Sequence, residues 1–292
     1  MGSGLLTVNQ TQTKHYSERL PYMWSQTNRP IFTPWNWSSD SSPPFPSLQP
    51  NDVHIWRSPL DLPADSLRQL QSYLSDDEQA RAARFRFDHH RHHFIAGRGL
   101  LRVLLGQYVQ QEPQVLRFEY GDRGKPKLAN PGVDSQATSL QFNVSHSGGV
   151  ALYAIALNRR VGIDLEELRP MPNAAQLAQR FFTEGEYAQL SAQPPEQQEL
   201  AFFRGWTRKE AYLKATGEGL GGLETVEVSL LEEQPRVLEV MTSKENDGDK
   251  VNSTAQWYIY DIPLDTNHRA AVVFERPVDE SYQGSMCFFE IV

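Results

Sequence analysis

The order of elements predicts an α+β protein made of two similar halves with a site between them. Three observations carry this. Hydrophobic spacing switches between the helical period and the alternating strand period, and does so twice along the 292 residues. Each half runs through helices, then a longer helix, then paired strands. The stretches Arg98–Gly106 and Arg208–Gly217 hold corresponding places in the two runs.

Residues 1–50 read as an extension rich in Ser, Thr, Asn, Gln and Pro, closing in Ser41–Pro46. Trp24, Trp35 and Trp37 are unusual there, because disordered tails are poor in aromatics, so part of the segment is expected to pack on the body. The first half is placed at 51–160. Val53–Trp56 reads as a short strand, and Leu67–Arg84 has helical spacing interrupted by Ser75-Asp76-Asp77-Glu78, a capping box that restarts a helix. Phe94–Val109 is a helix whose apolar face is Leu100, Leu101, Val103, Leu104 and Leu105. Val115–Tyr120 and a turn at Gly121–Pro126 follow. Leu140–Val144 and Val150–Leu157 are strands joined by the hairpin signal Ser147-Gly148-Gly149.

The second half is placed at 161–292. Val161–Leu165 is a strand; Ala174–Phe182 and Glu184–Leu190 are helical. Leu200–Thr216 is a long helix stopped by Gly217. Trp257–Ile262 and Ala270–Phe274 form the closing hairpin.

Composition narrows the class of function. Hydrophobic residues are 39% and charged residues 22%, the balance of a soluble globular chain. No apolar run reaches the roughly 20 residues of a spanning helix, and Met1–Ser17 holds no signal-peptide core, so the cytoplasm is the expected location. The single cysteine, Cys287, excludes an internal disulfide framework and a cysteine zinc site. A net charge of −8 argues against general nucleic-acid binding. Cations nevertheless concentrate at Arg81, Arg84, Arg86, Arg91, Arg98 and Arg102 with His89, His90, His92 and His93, which suits a small phosphorylated ligand.

Four segments carry chemistry. In Val161-Gly-Ile-Asp164-Leu-Glu166, strand alternation puts Asp164 and Glu166 on one face, about 7 Å apart. Two such carboxylates can share a hard divalent cation, or be ordinary solvated acids at a strand end. In Trp206-Thr-Arg-Lys209-Glu210-Ala-Tyr-Leu-Lys214, Trp206, Glu210 and Lys214 form one helical stripe: metal ligand or base with a phosphate-binding ammonium, or a plain stabilising ion pair. Phe142-Asn143-Val-Ser145-His146-Ser147 before two glycines offers hydroxyls and an imidazole on one rim, an anion cradle. A Ser-His hydrolase is disfavoured, because neighbours on a strand face opposite ways and no Gly-x-Ser-x-Gly elbow exists. Gly121-Asp-Arg123-Gly124-Lys125-Pro126-Lys127 presents three cations on a turn. No Gly-x-x-x-x-Gly-Lys-Ser/Thr loop is present.

In content, order and spacing these segments resemble the Sfp-type 4'-phosphopantetheinyl transferases, with a Gly-Lys-Pro turn, a Phe-Asn-x-Ser-His-Ser strand, a Gly-x-Asp-x-Glu strand and a Trp-x-x-Lys-Glu-x-x-x-Lys helix. The match runs from about Val53 to Pro277. The resemblance implies a pseudo-twofold pair of halves with coenzyme A in the cleft, and transfer of its phosphopantetheine arm to a serine of an apo acyl or peptidyl carrier protein, releasing adenosine 3',5'-bisphosphate. It implies magnesium on Asp164, Glu166 and Glu210, with Glu210 also taking the serine proton and Lys214 steadying phosphate charge. By the same resemblance Ser145, His146 and Lys125 line the phosphate and nucleotide pocket, and Arg81 and Arg98 meet the 3'-phosphate. Glu78 departs from relatives that carry lysine there, since a carboxylate cannot bind phosphate. The alternative is a catalytically silent binding module, which would be expected to have lost Asp164, Glu210 or Lys214. A chain holding both halves of a site is expected to be a monomer with no nucleic-acid or membrane partner. Phe181 and Phe182, adjacent on a short helix, are expected either to meet the carrier with Tyr187 and Arg180 or to be buried where the halves meet.

Overall fold

The structure is a computed structural model that describes residues 32–38, 44–129, 140–224, 226–231, 236–246, 249–276 and 285–292. Its mixed α+β architecture is four-layered, with helices, two sheets face to face, and helices again.

The first half opens with β1 (Thr33–Trp35) and β2 (Val53–Pro59), then α1 (Ala64–Ser72), α2 (Asp76–Ala83) and the 22-residue α3 (Asp88–Val109). A small hairpin of β3 (Phe118–Tyr120) and β4 (Pro126–Leu128) leads to β5 (Leu140–Ser147) and β6 (Val150–Leu157). Gly148 and Gly149 have φ of 56° and 75°, the left-handed pair that a two-residue hairpin loop requires. The second half repeats the plan with β7 (Val161–Glu167), α4 (Ala174–Phe181), α5 (Glu184–Ser191), the 22-residue α6 (Pro195–Thr216), β8 (Arg236–Asn246), β9 (Asp249–Asp261) and β10 (His268–Glu275). In each half the hairpin's second strand returns antiparallel to the opening strand, β6 on β2 and β10 on β7. The last strand, β11 (Met286–Ile291), crosses back to the first sheet and runs parallel to β2. Sheet orders are β1-β11-β2-β6-β5 and β7-β10-β9-β8, so β5 and β7 are edge strands.

Three cores follow. α3 sets Leu100, Leu101, Leu104 and Leu105 against Trp56, Phe142, Tyr153 and Ile155. α6 sets Phe202, Phe203, Ala211 and Tyr212 against Trp257, Ala271 and Val273. Between the sheets lie Ile55, Leu152 and Ala154 from one side and Ile163, Leu165, Tyr260 and Val272 from the other. Part of the N-terminal extension joins the body: Trp35 is buried and Phe45 stacks on Trp56 with centroids 5.3 Å apart. Trp24 lies outside the described residues.

Of the two expectations for Phe182, burial holds, but in the core of the second half and not where the halves meet. Phe182 is buried, stacked on Phe202 at 5.4 Å, and held beside Gly205, where a Cβ would lie 3.0 Å from its ring. α4 ends at Phe181, and the chain turns extended at Phe182. That turn lets one aromatic enter the core while Phe181 lies half-buried against Trp206.

Candidate active site

The site begins at Gly162. It shares a strand face with Asp164 and Glu166, and a Cβ there would lie 2.0 Å from the Ala211 carbonyl oxygen. Only a glycine lets α6 pack so closely on β7, which brings the α6 stripe beside the two acids. Trp206, Glu210 and Lys214 then line one cavity of about 380 Å³ with Val144, Ser145 and His146 from β5 and Asp164, Leu165 and Glu166 from β7.

Its polar connections are specific. Asp164 is buried, and its Oδ1 accepts from Lys214 Nζ at 2.6 Å and from Ser145 Oγ at 3.1 Å. Ser145 Oγ also accepts from Lys214 Nζ at 3.0 Å and from the Leu165 N–H at 3.2 Å. A hydroxyl has one donor and two acceptor positions, so this one is saturated. Asp164 Oδ2 and Glu210 Oε1 are buried without a partner. Desolvation first, then the Asp164 charge, push Glu210 up to about 7 against the pull of Lys214. Glu166 is raised by the same two causes, with Lys214, Arg169 and a hydrogen bond from Trp206 pulling the other way. Desolvation, then Lys214 and His93, lower His146. Negative charge with too few donors is what a cation relieves, and oxygen donors suit a hard one. Among the described residues no three His, Cys, Asp or Glu side chains stand grouped as a metal cage, and Asp164 is paired with Lys214 at 2.6 Å.

Similarity to known proteins identifies the family. Residues 62–157 match the family described as 4'-phosphopantetheinyl transferase, N-terminal, and residues 160–273 match the 4'-phosphopantetheinyl transferase superfamily. The 4'-phosphopantetheinyl transferase HetI of Nostoc is 44% identical over 230 residues, which are 79% of this chain and 90% of HetI. The chain belongs to the 4'-phosphopantetheinyl transferase superfamily. Psf-1 of Bacillus pumilus is 36% identical over 57% of this chain and 68% of its own length, and Sfp of Bacillus subtilis is 28% identical over 52% and 63%. Coenzyme A is the substrate and carrier proteins the partners that membership implies. No described helix is long and apolar enough to cross a membrane.

For this phosphopantetheinyl transferase, six of the nine residues singled out in the sequence share the cavity: Ser145, His146, Asp164, Glu166, Glu210 and Lys214. Lys125, Arg98 and Arg81 are not among its lining residues. Lys125 Nζ donates to the Val161 carbonyl at 3.1 Å and the Ala215 carbonyl at 3.0 Å, in the last turn of α6, and burial lowers it to about 8. Arg98 donates to Glu78 at 2.5 Å and to the Tyr120 hydroxyl at 2.6 Å, with its guanidinium 4.0 Å over the Phe118 ring. Arg81 is exposed and lies over Phe94 at 5.1 Å. Glu78 is buried as the third residue of a capping box and receives Arg98 and Arg102, which accounts for a carboxylate at that position. The role of Gly162 escaped the sequence reading. Its signal was its place two residues before Asp164, on the same strand face.

Proposed function

We propose that this phosphopantetheinyl transferase uses Glu210 as the proton acceptor for a carrier-protein serine and Lys214 as the cation that steadies the coenzyme A phosphates. The observation that supports it most is Glu210 itself: a half-buried carboxyl with one oxygen unpartnered, lining the same cavity as an ammonium. A carboxylate with a free oxygen can accept the proton of a serine hydroxyl brought within hydrogen-bond reach. The serine oxygen forms a bond to phosphorus as its proton passes to Glu210. The pyrophosphate P–O bond breaks, and adenosine 3',5'-bisphosphate leaves with the electron pair.

The unpartnered oxygens of Asp164 and Glu210 fit a divalent cation, and Asp164, Glu166 and Glu210 would hold magnesium. Bound there, it would supply charge neutralisation of the pyrophosphate. Lys214 would then exchange its hold on Asp164 for phosphate oxygen, and His146 would stand at the rim beside the phosphates. We read Lys125, Arg98 and Arg81 as outer cations of the nucleotide end, with Lys125 also tying the halves together. The reading keeps the protein in the cytoplasm as a monomer.

Incubation with coenzyme A, magnesium and a panel of apo carrier proteins, followed by intact mass, tests this. One phosphopantetheine should be added to a carrier, and Glu210→Ala should abolish the addition in a folded protein. No mass gain on any carrier would overturn the activity, and wild-type turnover by Glu210→Ala would overturn the proposed base.

A further inference from the structure

Along one side of the two facing sheets, the edge strands β5 and β7 lie next to each other without a backbone ladder. β5 closes the first sheet and β7 the second, and a bare strand edge leaves a row of N–H groups in need of acceptors. Here side chains supply them at every second residue. Asn143 Oδ1 accepts from the Ile163 N–H at 2.9 Å, Ser145 Oγ from Leu165 at 3.2 Å, and Ser147 Oγ from Glu167 at 3.0 Å. The spacing i, i+2, i+4 on β5 meets the spacing i, i+2, i+4 on β7, so three rungs join the edges in register. Asn143 and Ser145 are buried, which makes them committed partners rather than solvated side chains.

We propose that Asn143 and Ser147 are positioning residues for the transfer reaction, acting through the placement of β7. Two consequences of the geometry support this. First, strands paired through their backbones lie about 4.8 Å apart, which would close the gap between β5 and β7. Rungs made by side chains seal the N–H groups while keeping the edges apart, and both strands line the cavity that remains. Second, a strand that slips by one residue turns its side chains to the opposite face. Three rungs add to the β10 ladder in holding that register and fix β7 against β5, so Asp164 and Glu166 stay on the α6 face with Glu210 and Lys214. The middle rung adds a direct link, because Ser145 donates to Asp164 as it accepts from Leu165. The motif Asn-x-Ser-x-Ser thus has a reason apart from anion binding: short polar acceptors at alternate positions meet the β7 amides, and an aliphatic residue at Asn143 or Ser145 strands a buried one.

The inference rests on the proposed function, and one experiment separates their failures. Wild-type protein is first shown to load a carrier; if it does not, the proposed activity falls. With activity established, Ser147→Ala, Ser147→Thr and Asn143→Leu are compared for kcat, KM for coenzyme A and carrier, thermal midpoint, and magnesium affinity by calorimetry without carrier. Ser147→Ala should lower kcat about tenfold by misplacing the acids, with magnesium affinity falling alongside. Its KM values should stay within about twofold of wild type, and Ser147→Thr, which keeps the hydroxyl, should recover most of the loss. Asn143→Leu should show the same pattern more strongly; if it does not fold, Ser147 decides alone. A folded Ser147→Ala with wild-type kcat and magnesium affinity would overturn the proposal, as would a threonine variant no better than alanine.

Discussion

Two buried titratable centres show what separates a site from a strut. His54 is buried on β2, and the Tyr108 hydroxyl lies 2.7 Å from its Nδ1 and 2.8 Å from the Trp56 Nε1. Indole N–H can only donate, so the hydroxyl accepts from Trp56 and pairs with His54 Nδ1 through its remaining capacity. That centre is closed. Around Asp164 and Glu210, by contrast, carboxylate oxygens stay unpartnered, and such vacancies in a cavity mark a functional site. The closed centre makes a pH prediction. Burial lowers His54 from 6.5 to about 4 in the folded protein, so between those values the unfolded chain binds more protons. Its contribution to stability is whole above pH 6.5 and is lost as pH falls toward 4, at most roughly 3 kcal/mol. Urea titrations across this range should show the decline, and His54→Gln should flatten it; an equal slope in the variant would contradict the assignment. At this scale the acids of the site were readable, because Asp164 and Glu166 sit two apart on a strand and Glu210 and Lys214 four apart on a helix. His54 was not, since its partner comes 54 residues later in sequence.

The helices repeat more faithfully than the letters that spell them. α2 and α5 both start with capping boxes, Ser75 with Glu78 and Thr183 with Glu186. Each third-position glutamate is buried and receives a cation from the long helix that follows, Arg102 at 2.6 Å and Lys209 at 2.5 Å. Both cations are the fifteenth residue of a 22-residue helix counted from Asp88 and Pro195, and both also donate to carbonyls of the segment beyond it, Pro113 and Leu116 or Val226. The equivalence therefore pairs Arg102 with Lys209, three residues away from a register that matches Arg98 to Arg208. Arginine and lysine share charge but little sequence signal, which is why spacing alone missed the match. Lys209, inside the Trp-x-x-Lys-Glu motif, is fully buried and so serves the fold while Glu210 beside it serves the cavity. Removing one partner strands a buried charge, so Glu78→Ala and Glu186→Ala should each cost about 3–5 kcal/mol in denaturant unfolding. Glu186→Leu with Lys209→Met should recover much of the loss. A cost below about 1 kcal/mol in either single variant would show that the joints are dispensable.

At the scale of the whole molecule, chain order and sheet membership part company. The four elements β2, β5, β6 and the long helix α3 were legible from periodicity, yet the first sheet is completed by β1 and β11, from opposite ends of the chain. β11 runs parallel to β2 from Met286 opposite Val53 to Glu290 opposite Arg57, and β1 pairs with β11 through Thr33, Pro34 and Trp35. Parallel neighbours so distant in sequence leave no local turn signal, so the C-terminal strand could not be assigned to this sheet from spacing. Its side chains also bridge layers: Ile291 enters the α3 core, while Phe288 enters the core between the sheets. Arg159 adds a second tie, donating to the Asn51 and Glu275 carbonyls. The halves are thus expected to unfold together despite their internal repeat. Ile291→Ala should cost about 2–5 kcal/mol through cavity formation. Deleting 285–292 should remove the partner of β1, bare an edge of β2 and abolish folding of both halves. Thermal unfolding followed by far-ultraviolet circular dichroism and by tryptophan fluorescence should give one coincident transition in wild type and in Ile291→Ala. Two separated transitions, with the second half melting independently in the deletion variant, would show that the halves are autonomous and that β11 is only an appendage to the first.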